Sequence, residues 1–185
     1  MASALTHGAV AVALGACFDR TRVPSRALVA GGALALVPDL DAIGFWLGVP
    51  TRSVVGHRGL THSLFFATVV GLAAAWAYVS RVRPAPNPWW LGLFFVLVLA
   101  SHGLLDALTN GGPGIAFFSP FSSRRYFFPF RPIEVSPISI GGSFNARGLR
   151  ILVSELRWVW LPAGLLAGCG ILVRRARRRC GPGAA

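Results

Sequence analysis

Residues 57–63, His-Arg-Gly-Leu-Thr-His-Ser, put two imidazoles, an arginine and two hydroxyls directly before an apolar run from Leu64 to Val79. Ionisable groups at the edge of a hydrophobic segment are costly, so they mark a site. The remaining two histidines have similar settings: His7 opens the first apolar stretch, and His102 stands four residues before Asp106 at the end of another. Asp39 and Asp41 interrupt a further run. His102 and Asp106 share one helix face and can hold one ion together. Asp39 and Asp41 diverge on a regular helix, but Pro38 breaks the helix in front of them. His57 and His62 need the turn at Gly59 to converge. Histidines mixed with carboxylates suit zinc, manganese or iron rather than calcium or magnesium. With His7, Asp41, His57, His62, His102 and Asp106 as metal candidates, the donors exceed one tetrahedral shell. That implies two ions, or one ion with ligands that other residues orient; two ions clamp the attacking and leaving oxygens of a phosphoryl transfer. Arg58 is placed to bind a phosphate or stabilise developing negative charge, and Asp39 to share the catalytic work.

Plainer readings exist for each residue singly. An interfacial histidine can touch a headgroup, Asp39 or Asp41 can cap a helix, and Thr61 and Ser63 can cap the run that follows. The set would need a separate innocent account for every member. Serine nucleophiles fit less well, since neither Ser63 nor Ser101 lies in a G-x-S-x-G elbow. No P-loop or dinucleotide fingerprint occurs.

The elements that must position these residues are membrane helices. Of 185 residues, 54% are hydrophobic and 13% charged, and the mean hydropathy is +0.61, which leaves too little polar surface for a soluble domain. The pattern predicts an all-α, polytopic helical membrane protein with one embedded domain. Its four to five apolar helices fall at about 4–18, 27–49, 61–80, 89–109 and 154–173. The first run is short for a span and has neither a basic lead nor a processing site, so it does not read as a cleaved signal peptide. Trp89 and Trp90 sit where an aromatic belt belongs, behind a stiff connector holding Pro84, Pro86 and Pro88. Residues 110–153 form a long Gly/Pro-rich loop, and its phenylalanines mark it as an interfacial cap rather than a disordered linker. A basic tail occupies 174–185.

The net charge of +12 comes wholly from arginine, placed between the apolar runs and in the tail. That is the pattern of membrane flanks and lipid headgroup contacts, so membrane lipids are the expected partner and no nucleic acid is expected. Cys17, Cys169 and Cys180 have no C-x-x-C spacing, which argues against a disulfide framework or a thiolate zinc site. The positive-inside rule puts the tail in the cytoplasm. If the runs are antiparallel neighbours, His7, Asp39, Asp41, His57, His62, His102 and Asp106 then meet on the outer face.

Thr6-His7, Pro38-Asp39-Leu40-Asp41, the block 57–63, and His102 with Asp106, Thr109 and Gly112 together resemble the YdjM-like family of bacterial inner-membrane proteins. The resemblance covers roughly residues 5–130. Members are described as predicted membrane-bound metal-dependent hydrolases, distantly similar to zinc-dependent phospholipase C and P1-type nucleases. The resemblance implies His7, Asp41, His62, His102 and Asp106 as first-choice ligands, with Asp39 and His57 as further ligands or supports. Histidine is absent after Asp106, where those soluble enzymes carry more ligands. The expected function is a membrane-bound, metal-dependent hydrolase of a phosphoester such as a phospholipid headgroup. The rival is a transporter or ion-binding protein whose broken second helix lines a pathway.

Overall fold

The computed structural model describes residues 1–136 and 145–179. Among them it is all-helical, with two isolated bridge pairs, Thr109–Ile133 and Ile115–Tyr126, and no strand. Helix α1 spans Ala4–Ala16, α2 Ser25–Leu34, α3 Ile43–Trp46, α4 Leu64–Arg81, α5 Pro88–Ala107, α6 Ala146–Glu155 and α7 Leu161–Arg179. Four helical stretches are long and apolar enough to cross a membrane: Ser25–Trp46, Leu64–Arg81, Pro88–Ala107 and Ala146–Arg177. The 13-residue α1 is shorter than a span.

Local sequence sets the helix starts. Ser63 Oγ accepts from Phe66 N at 3.0 Å and begins α4, so the last residue of the 57–63 block is its N-cap. Asn87 accepts from Trp89 N and Trp90 N, with Pro88 in the first turn of α5, where its missing N–H costs nothing. Pro38 ends the second run as a regular helix. The α2 helix stops at Leu34, and residues Pro38–Ala42 form a 3-10 turn before the short α3. Neither Asp39 nor Asp41 is a helix cap.

The last helix departs from expectation. It begins at Ala146, eight residues earlier than the apolar run suggests, because the Asn145 side chain caps Gly148 N. Its first ten residues are strongly two-faced, with Arg147 and Arg150 outside and Ile151 and Glu155 buried, so composition alone reads as loop. A five-residue π turn, Leu156–Trp160, joins α6 to α7. Arg174–Arg179, expected as tail, continue α7. Residues 180–185 and part of the expected loop, 137–144, lie outside the described residues.

Phe94 sits at the centre of the bundle, fully buried with Ala11, Ala27, Leu91, Phe95 and Val98. Helices α4 and α5 approach so closely at Gly71 that an added Cβ would lie 2.8 Å from Val96 N and 2.9 Å from its Cα. Inside a bilayer such small-residue contacts, rather than a hydrophobic drive, bring helices together. The outward faces stay apolar, with Val69, Trp76, Leu165 and Leu172 exposed where lipid would cover them. Gly71→Val should therefore cost about 2 kcal/mol or more, since the obstacle is backbone and cannot swing aside. Gly92→Ala, whose Cβ would meet Leu72 Cδ2 at 3.0 Å, should stay close to wild type in a detergent thermal melt. Equal melting of the two variants would contradict this packing account.

Candidate metal centre

The break at Pro38 leaves the Ala35 carbonyl without a helical donor, and His102 Nδ1 takes that place at 2.8 Å. A carbonyl can only accept, so Nδ1 carries the proton. In neutral His102 the lone pair is then on Nε2, which faces Asp39 Oδ1 at 3.2 Å. Two acceptors turned toward each other in a buried site ask for a cation between them.

His62 makes the same demand. Its Nε2 lies 3.7 Å from both Asp39 Oδ1 and Asp106 Oδ2, and it has no hydrogen-bond partner. Asp39 Oδ2, Asp106 Oδ2 and both ring nitrogens of His7 are likewise buried and unpartnered in hydrogen bonds. One donor atom from each of Asp39, His62, His102 and Asp106 lies within 4.8 Å of the others. These residues fit a divalent ion: two imidazoles, two carboxylates, and orphaned atoms that face one another. His7 stacks on His102, with centroids 3.7 Å apart and planes at 12°, and its Nε2 is 3.6 Å from Asp106 Oδ1. It stands beside the four-residue group as a neighbour.

Asp41 and His57 form a second layer that shares His62. Asp41, His57 and His62 also bring one donor atom each within 4.8 Å. The Asp41 carboxylate, however, already faces protein donors: His57 Nδ1 at 2.6 Å, Arg58 N at 3.1 Å, the Thr61 hydroxyl, and His62 Nδ1 at 3.2 Å. A carboxylate so occupied holds the His57 and His62 imidazoles in orientation. Asp41, a first-choice ligand by the sequence, groups with His57 and His62, whereas the acid that stands with His62, His102 and Asp106 is Asp39.

Arg58 also differs from expectation. Its side chain is 1% exposed, so a phosphate arriving from outside cannot reach it. Nη1 donates to Gly111 O at 2.7 Å, Nη2 to Thr109 Oγ1 at 3.1 Å, and Nε stands 3.1 Å from Asp106 Oδ2 as an ion pair. Gly112, at φ 94°, is required here because a Cβ would strike the guanidinium. Arg58 itself adopts φ 63°, a left-handed conformation costing about 1 kcal/mol, and this directs its N–H at Asp41. The residue locks the site to the 109–112 turn.

Burial alone would lower the His62 imidazole, but the Asp39 and Asp41 carboxylates, with the Asp106 charge, outweigh it and pull the pKa up to about 9. In the metal-free chain a proton on His62 answers part of the charge that a metal would answer.

Comparison with known proteins fits this architecture. The profile of the YdjM inner membrane protein family matches residues 1–179. The chain belongs to this family. It is 40% identical over 168 residues to the inner membrane protein YbcI of Escherichia coli K12, an alignment that covers 91% of this chain and 96% of YbcI. No solved structure matches. The distant likeness to phospholipase C and P1-type nucleases therefore gains no support. Like YbcI, this YdjM-family chain is an inner-membrane protein, and its apolar helices make it multi-pass.

Two site supports escape a reading of the sequence. Glu155, 2% exposed, accepts from Ser3 N, from Ser3 Oγ at 2.6 Å and from Thr6 Oγ1 at 2.8 Å. Trp160 Nε1 donates to the same Thr6 hydroxyl at 2.7 Å. Together they fix the start of α1, next to His7. The available signal was an acid at the edge of an apolar span. Arg125 is the other: it donates to the carbonyls of Thr51, Ser53, His57, Arg58 and Gly114, pinning the cap over the site. Nothing in its sequence context sets it apart from its neighbour Arg124.

Zinc titrated into the metal-free protein at about pH 8 should release protons, because an imidazole with a pKa near 9 must lose one to bind. Apparent affinity should rise with pH up to about 9; binding without proton release would contradict this state of His62. His62→Ala should abolish zinc binding measured by elemental analysis. Asp41→Asn should weaken it about 10–100-fold, the usual cost of losing a ligand's orienting partner.

Proposed function

We propose that this protein is a metal-dependent hydrolase of the inner membrane that acts on a phosphoester, such as a phospholipid headgroup. The observation that carries the reading is the gathering of one possible ligand atom each from Asp39, His62, His102 and Asp106 within 4.8 Å, with Asp39 Oδ2, His62 Nε2 and Asp106 Oδ2 buried and without a hydrogen-bond partner. Zinc is the preferred ion for two imidazoles and two carboxylates, with manganese and iron as close seconds. When bound, such an ion supplies Lewis acidity and water activation.

The protein's own residues do the rest. Asp41 orients His62 and His57. Arg58 holds the Asp106 carboxylate in place. Asp39, at 13% side-chain exposure, is the one member of the four-residue group open to the outside, so substrate and water enter beside it. Its Oδ2, buried and free of hydrogen bonds, is the oxygen left to accept a proton on the inner side of that opening.

What favours hydrolysis over transport is the depth of the polar groups. They come from the start of α1, the break after α2, the turn before α4 and the last turns of α5, which is one end of the bundle. A transport pathway needs them spread along the depth. At the opposite end, Arg174 Nη1 donates to Phe18 O, and Arg20, Arg22, Arg81 and Arg83 gather nearby in sequence connections that the site does not use. By the positive-inside rule that end is cytoplasmic, which puts the metal centre on the outer face.

Purified protein loaded with zinc or manganese should cleave a chromogenic phosphodiester, lose turnover on chelation and regain it on reloading. Asp39→Asn should lower kcat at least about 100-fold, the scale of losing a base that acts in the transition state. Metal-loaded protein that binds zinc yet cleaves no phosphomonoester or phosphodiester would sink the hydrolase reading.

A further inference from the structure

Residues 117–125 wall two cavities at once. One, of about 400 Å³, is lined by Arg52, Pro113, Ser123 and Arg125. The other, of about 380 Å³, is an apolar groove against α4, lined by Phe65, Val69, Phe117, Phe118 and Phe121 among others. The first carries two guanidinium groups and no acid. The second carries almost nothing polar and faces the surface that lipid would cover.

The two arginines are brought together by the backbone. Arg125 Nη2 donates to the carbonyls of Thr51 and Ser53, on either side of Arg52. This pins the turn bearing Arg52 over Arg125, and neither has an acidic ion-pair partner among the described residues. Burial, partly offset by Asp41, and the positive charges of Arg52 and Arg58 hold the Arg125 guanidinium below its ordinary range. Two like charges around one polar cavity are relieved by an anion; the Nη groups of Arg125 are held by backbone carbonyls, so Arg125 supplies positive charge while the exposed Arg52 supplies N–H groups that match the oxygens of a phosphate. The apolar groove tells which phosphate. Phe121, 81% exposed, lies two residues from Ser123 and forms an edge contact with Phe65 at 5.5 Å between ring centroids. Such an exposed ring beside a cationic pocket belongs at headgroup depth, with an acyl chain alongside.

We infer that Arg52, held beside the positive charge of Arg125, binds the phosphate of an anionic phospholipid whose acyl chain lies in the groove between α4 and residues 117–121. The site is separate from the metal cage and needs no turnover there. It reaches the cage through backbone, because Arg125 also donates to the carbonyls of His57 and Arg58 at 3.1 Å each. Lipid at this site braces the turn that presents His57 and Arg58.

The test is thermal unfolding of the protein in a neutral detergent, titrated with short-chain phosphatidylglycerol or phosphatidylcholine. Phosphatidylglycerol should raise the midpoint saturably and at lower concentration than phosphatidylcholine. Arg52→Glu, which removes an exposed side chain and no internal hydrogen bond, should weaken that effect about tenfold or more, the scale of one charge-assisted contact. Phe121→Ser should weaken it as well, and Arg83→Glu, at the other end of α4, should leave it unchanged. Arg125→Lys should also weaken it; if that variant fails to fold, Arg52→Glu decides. Equal response to both lipids, an undiminished response in Arg52→Glu, or the same loss in Arg83→Glu would overturn the proposal. Inorganic phosphate reproducing the full shift would assign the pocket to a free ion and overturn the lipid.

Discussion

Three carboxylates, those of Asp41 and Asp106, which are buried, and of Asp39, which is largely so, meet at one end of this bundle with a single guanidinium among them. Charge left uncompensated away from water is expensive, and the surroundings are arranged to answer it. Arg58 takes Asp106, and four protein donors surround Asp41. Asp39 has only imidazoles opposite it, at 3.2 and 3.7 Å. The excess negative charge, next to imidazole nitrogens with no other partner, is the constraint on which the rest of the site depends.

Meeting it requires irregular backbone. Pro38 releases the Ala35 carbonyl, which fixes the protonated nitrogen of His102, and the 3-10 turn that follows points Asp39 and Asp41 inward. Arg58 takes up a left-handed conformation to aim its N–H at Asp41 while its side chain turns back toward Asp106. Non-helical backbone at membrane depth is tolerated where protein or a polar cavity satisfies it, and here both breaks are satisfied by site residues. The irregularities and the chemistry are one arrangement.

Around this centre the protein builds a casing from parts distant in sequence. Residues 109–136 fold back as a cap: Ala116 N donates to Arg58 O, Leu64 N to Phe117 O, and Phe128 N to Ala107 O. Ile115 and Ile133 of this cap are fully buried. On the other side, Glu155 gathers Ser3 and Thr6 so that α1 enters the bundle with His7 stacked on His102. The π turn after Glu155 is the kind of local irregularity that occurs often at functional sites, and it lets Trp160 reach the same Thr6 hydroxyl.

The sequence by itself determined the class of the molecule and nominated the residues of its candidate site. Apolar runs long enough to span, arginines confined between them, and a proline inside the second run specify membrane helices and one break. These are properties of composition and short-range spacing. Alternation of direction then brings the start of one run beside the end of the next, so His7, Asp39, Asp41, His57, His62, His102 and Asp106 were legible as one set. What only the tertiary structure decided was the division of labour within that set. Asp39 and Asp41 differ by two positions and not at all in chemistry. Four donors from residues 57–62 engage Asp41, whereas Asp39 meets only the imidazoles of His62 and His102. Arg58 looked like a phosphate contact until its partners, 51 to 53 residues away along the chain at Thr109 and Gly111, used its N–H groups. Glu155 and Arg125 went unseen for the same reason. A side chain's role is set by which acceptors or donors lie within about 3 Å of it, and over such separations that is fixed by packing rather than by neighbours in the chain.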